Sequence, residues 1–78
     1  MNSLWMARQE AGLRQKSVAR LLGHKSASAI SEYESGRLMP SLSTALKLCE
    51  IYKRDIKDLY PELYATVLAQ IQAVTNRS

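Results

Sequence analysis

The sequence predicts an all-α fold, and three observations carry that prediction. Apolar residues recur three and four positions apart along nearly the whole chain, the spacing that lines one face of a helix. No apolar–polar alternation runs long enough to argue for a strand. Gly12, Gly23 and Gly36 each follow a periodic segment, where a left-handed helix end is expected.

Taken in order, Ser3 is placed to cap a first helix running to about Ala11, with Leu4, Ala7 and Ala11 on its inner face. A second helix covers Gln15 to Leu22 and turns Val18, Ala19 and Leu22 inward. Ser26 or a neighbour caps a third, which carries Ile30 and Tyr33 and stops at Gly36. Arg37 to Pro40 form a loop. Ser41 then caps a fourth helix, with Leu42, Ala45, Leu46, Cys49 and Tyr52 repeating at helical spacing. Asp55 caps a short fifth helix ending near Tyr60. Pro61 is poorly suited to continue that helix and well suited to begin another. The last helix, from Pro61 to about Val74, aligns Leu63, Val67, Ile71 and Val74, with Tyr64 and Leu68 beside the stripe; residues 75–78 are expected to fray. The chain therefore divides at Tyr60–Pro61 into a domain over 1–60 and a C-terminal helix over 61–78.

Seventy-eight residues bury only about 60% of their unfolded surface, which leaves no room for a deep cleft between two lobes. Eleven Lys and Arg against seven Asp and Glu give a net charge of +4. The bias is local: up to residue 40, Arg8, Arg14, Lys16, Arg20, Lys25 and Arg37 face only Glu10, Glu32 and Glu34. Such an excess suits a polyanionic partner, although charge alone does not separate that from a plain solvated surface. Cys49 is the sole cysteine, which excludes an internal disulfide and points to a reducing compartment. No apolar run reaches the ~18 residues of a membrane span and no signal-peptide pattern is visible, so a cytoplasmic location is expected and no membrane contact.

The informative stretch is Gln15 to Arg37, two short helices joined by a tight turn at Gly23. The small Ala19 lets the helices approach, and Val18, Leu22, Ile30 and Tyr33 supply the seam. This is the arrangement of a helix-turn-helix, whose second helix enters the major groove of DNA. Ala27, Ser28, Ser31, Glu32 and Ser35 project away from Ile30 and Tyr33 by the helical period, and most are small or polar, so the helix axis can approach base edges. A polar outer face is also what any solvated helix presents.

Between Leu4 and Tyr60 the chain resembles the Cro/cI-type helix-turn-helix family of phage-repressor-like DNA-binding domains. The matching residues are Leu4, Arg8, Ala11-Gly12-Leu13, Gln15, Ala19, Leu21-Leu22-Gly23, Ile30-Ser31, Glu34, Gly36, Pro40-Ser41-Leu42, Ala45-Leu46-Lys47-Leu48 and Leu59. They cover about three quarters of the chain, in order and near family spacing. The resemblance implies a five-helix phage-repressor-like domain with an additional C-terminal helix, and double-stranded DNA as partner. It implies that Gln15 hydrogen-bonds a phosphate and braces the recognition helix, that Ala27, Ser28 and Glu32 face base edges, and that Ser35, Gly36 and Arg37 form a phosphate-contacting turn. It also implies a partly buried Arg8–Glu34 ion pair of structural role.

Three departures from the family pattern stand out. The turn from Gly23 to Ser26 is one residue longer than the common form, which brings His24 and Lys25 within reach of phosphates. Arg14 replaces a Ser or Thr cap before Gln15, setting a cation at a positive helix end. Leu38 and Met39 leave the loop after the recognition helix uncharged. The expected DNA contacts are therefore Gln15, Lys16, Lys25, Ser26, Ala27, Ser28, Ser31, Glu32, Ser35 and Arg37. Phosphate contacts position, while Ala27 suits a thymine methyl and Glu32 a cytosine amine.

One small domain reads little DNA, so a homodimer on two half-sites is expected, with Leu63, Tyr64, Val67, Leu68, Ile71 and Val74 as its interface; the alternative is that the last helix folds back on its own core. The leading function is a transcriptional regulator, a repressor occupying a palindromic operator. The alternative is a protein-interaction module or antitoxin-type partner protein that retains the fold. His24 has no metal ligand at spacing, Cys49 reads as a small buried hydrophobe, and no catalytic constellation is visible, so no enzyme, metal or cofactor is expected.

Overall fold

The computed structural model describes residues 3–77, of which Arg77 by its backbone alone. Every regular element among them is an α-helix: α1 (Ser3–Glu10), α2 (Gln15–Leu21), α3 (Ser28–Ser35), α4 (Leu42–Tyr52), α5 (Ile56–Leu59) and α6 (Pro61–Arg77). One core holds the first five together. Leu4 and Ala7 of α1, Val18 and Ala19 of α2, Ile30 and Tyr33 of α3, Leu48 and Tyr52 of α4 and Leu59 of α5 are all buried in it, with Leu22 just past α2.

Helix ends follow the chain's punctuation, with local corrections. Gly23 takes φ +80°, a conformation that costs an L side chain roughly 1–2 kcal/mol. It lets the Gly23 and His24 N–H groups donate to the Arg20 and Ala19 carbonyls at 3.0 and 2.9 Å, closing the end of α2. Ser41 caps α4 as expected, its hydroxyl accepting from the Thr44 N–H at 3.3 Å. Asp55 and Asp58 form a capping box at α5, with the Asp58 carboxylate accepting from the Asp55 N–H at 3.2 Å. Ser3, by contrast, is already helical, and α1 stops at Glu10 with Ala11 exposed in the turn.

Two faces differ from the expectation. In α4, Leu42 and Leu46 are 76% and 57% exposed, while Leu48 is 1% exposed. Apolar residues surround this helix on several sides, so periodicity offers more than one stripe; the elements packed against it select Ala45, Leu48 and Tyr52. In α6, the helix runs on through Thr75, whose hydroxyl donates to the Ile71 carbonyl at 3.0 Å, to Arg77, so residues 75–77 are helical where fraying was expected; Ser78 lies outside the described residues. It does not fold back. All six apolar stripe residues are 42–67% exposed, and α6 leans chiefly on α5. Seventeen residues make a rod of about 25 Å, which accounts for a molecule of 48 × 21 × 20 Å.

Candidate nucleic-acid interface

α3 owes its position to a polar knot beneath the helix pair. The Glu34 carboxylate accepts from Arg8 Nε at 2.6 Å and Nη2 at 3.1 Å, and from Gln15 Nε2 at 3.0 Å; Arg8 Nη1 donates to the Leu13 carbonyl at 3.0 Å. Three of these bonds end on one carboxylate and join α1 and the start of α2 to the end of α3, while the fourth ties Arg8 to the α1–α2 turn. Both charged side chains are nearly out of solvent, at 10% and 7% exposure, and Glu34 raises the Arg8 pKa through that hydrogen bond. An ion pair so desolvated is retained only with its remaining donors and acceptors filled, which Gln15 and Leu13 do. The family resemblance implied the pair and a bracing role for Gln15; that Gln15 braces through Glu34, and that the Leu13 carbonyl takes a bond from Arg8, had no signal in the sequence.

On the opposite side of α3, Ser28, Ser31, Glu32 and Ser35 are all exposed while Ile30 and Tyr33 are buried. The helix ends at Gly36, φ +80°, with the Arg37 N–H donating to the Glu32 carbonyl at 3.0 Å. That fixes where Arg37 leaves the helix. The result is a short rod with one polar face turned outward and a cation at its end.

A helix-turn-helix family model matches residues 6–59, more than half of the chain. The chain belongs to the Cro/cI-type helix-turn-helix family. This is a family of DNA-binding regulators. No curated protein and no solved structure matches the chain.

Within this helix-turn-helix unit the charged residues and Gln15 singled out from the sequence sit in different settings. Lys16, Lys25 and Arg37 are exposed cations, as are Arg14 and Arg20. Gln15 is half-buried and spends one amide N–H on Glu34, which leaves one N–H for a phosphate. Arg14 occupies the cap position of α2 in extended conformation and gives no side-chain cap, as its side chain requires.

The start of α3 is the part that departs. The helix begins at Ser28, and Ala27 holds the cap position without a side-chain bond. The Ser26 and Ser28 hydroxyls share a hydrogen bond of 2.7 Å, while the Ser28 N–H lies 3.5 Å from Ser26 Oγ, too long to cap the helix well. Ala27 is half-buried against the core instead of projecting with the serines. Ser35 turns its hydroxyl back onto the Glu32 carbonyl at 3.0 Å, so its proton is already committed. A further tie had no sequence signal: Arg54 Nη2 reaches Glu10 at 2.6 Å across 44 residues, joining the α4–α5 turn to α1.

Proposed function

We propose that this chain is a sequence-specific regulator of transcription that acts in the cytoplasm as a repressor, occupying a palindromic operator as a homodimer. The observation that carries the reading is the exposed Ser28–Ser31–Glu32–Ser35 face on a helix locked from behind by Arg8, Gln15 and Glu34. A face meant to enter a groove needs short side chains and a fixed axis, and both are present. Gln15, Lys16, Lys25 and Arg37 serve phosphates. Ser28, Ser31 and Glu32 read bases, with DNA shape contributing because no long cation lies on that stripe.

Selection of bound duplexes from a random library tests this. The expected result is a two-fold symmetric site with half-sites about 34 Å apart, and affinity falling steeply with salt. No enrichment of any sequence, or no binding to duplex at low salt, refutes it. The dimer rests on α6, whose apolar stripe stands open to solvent. Val67→Asp should convert a dimer to a monomer in light scattering. The same open stripe favours a second reading, a protein-interaction module that keeps the fold and binds an unlike partner there; a monomer in the unaltered chain would support it.

A further inference from the structure

The open face of α6 is shaped differently at its two ends. At its root, Ile56, Tyr60, Leu63, Tyr64 and Val67 line a cleft of about 190 Å³; a cavity of ~150 Å³ already accepts a benzene ring. Toward its tip the same face stands freer of the domain, with Ile71 and Val74 the most exposed of the stripe at 58% and 67%. Tyr60, Tyr64, Val67, Ile71 and Val74 follow one another at four, three, four and three residues, the spacing of a coiled-coil seam.

We propose that α6 pairs antiparallel with α6 of a second copy, Val74 of each chain seated in the cleft at the root of the other's α6. The inference rests on the homodimer reading above and adds its geometry. In an isologous pair, residue i meets j and j meets i. An antiparallel overlap sets each exposed tip on the cleft at the other's root, Tyr64 opposite Val74 and Val67 opposite Ile71. A parallel overlap would set cleft against cleft and leave both empty, which packed interfaces avoid. Charge points the same way. Glu62 is the only charge among the described side chains of α6, and antiparallel helices hold the two copies of it far apart where parallel ones set like charges side by side. Helix dipoles also oppose favourably. The exposed apolar side chains of the stripe and cleft offer roughly 600 Å² per copy, or about 1,200 Å² for the pair, the lower bound of a stable specific interface.

The test is cross-linking in the full chain carrying Cys49→Ser. Tyr64→Cys and Val74→Cys chains are oxidised separately and as an equal mixture. The expected result is a disulfide-linked dimer from the mixture only, because each cysteine alone lies about ten residues, ~15 Å, from its copy. Cross-linking of each variant alone overturns the arrangement. Should the substitutions weaken association, isotope-filtered NMR on a mixture of labelled and unlabelled unaltered chain reads the same contact, between Val74 methyls and the Tyr64 ring. A dimer lacking that contact overturns the antiparallel pair and leaves the homodimer reading standing. A monomer in light scattering overturns both.

Discussion

α3 and α6 both give a whole face to solvent, and the two faces are opposite in chemistry. α3 presents three serines and a glutamate; α6 presents six aliphatic or aromatic side chains. The helices are also held differently. α3 packs on α1 and α2 and is pinned by Glu34 to Arg8 of the one and Gln15 of the other, whereas α6 leans chiefly on α5. A polar face on a clamped helix suits a rigid polyanion, whose groove admits the helix in one pose. An apolar face on a projecting helix is a surface waiting to be covered, since exposed patches of this size mark interaction sites.

The clamp offers the largest effect. Glu34→Ala leaves the Arg8 guanidinium buried without its carboxylate, at a cost of about 3–5 kcal/mol. In a chain this small that approaches the whole stability, so urea unfolding should show little folded protein. Replacing both partners by Arg8→Met with Glu34→Leu should recover most of the loss while leaving Gln15 unbraced. That double variant separates stability from DNA binding: folded by circular dichroism, weakened for duplex.

Next comes the face of α3. Glu32→Ala should change preference at one base position by about 1–3 kcal/mol and leave salt dependence intact. Arg37→Ala should do the reverse, lowering the slope of log affinity against log salt by about 1 with selectivity unchanged. Equal loss across all sequences from Glu32→Ala would remove it from base reading.

These contrasts mark how far the sequence could be read. Helical periodicity and three glycine stops carry the element order, because both are local. The Arg8–Glu34 pair is legible only through family spacing, since its partners lie 26 residues apart. The inward face of α4 is not legible, because Leu42, Leu46 and Leu48 are equally apolar and only packed neighbours decide among them. The start of α3 fails for a related reason: Ala27 is drawn onto the core by contacts that no capping rule contains.

A smaller effect lies at the root of α6. The Tyr60 hydroxyl is buried with no hydrogen-bond partner among the described residues, and burial raises its pKa. An unpaired buried hydroxyl costs more than the methine edge that replaces it. Tyr60→Phe should therefore stabilise the chain by about 1 kcal/mol and keep the cleft beside it. Tyr52 gives a pH signature of the core. Burial pushes its phenol up to about 12, with the Glu34 carboxylate adding to the shift. The folded state then holds that proton between pH about 10 and about 12 while the unfolded chain releases it. Stability is present in full below pH 10 and falls as pH rises through that window, in a chemical-denaturation series.

The smallest effect tests the helix ends. α3 closes on Gly36 and α4 on Lys53, both left-handed, at φ +80° and +55°. The Arg54 N–H donates to the Cys49 carbonyl at 3.1 Å as the Arg37 N–H does to Glu32, so the two closures share one geometry. Only Lys53 carries a Cβ into it. Its exposed ion pair with Glu50 is of a kind that contributes little. Lys53→Gly removes the steric cost but adds freedom to the unfolded chain. A net gain of about 0.5 kcal/mol is expected, raising Tm by roughly 2–4 °C. A fall in Tm would mean that Lys53 anchors the α4–α5 turn, and with it the root of α6, more firmly than its backbone conformation costs.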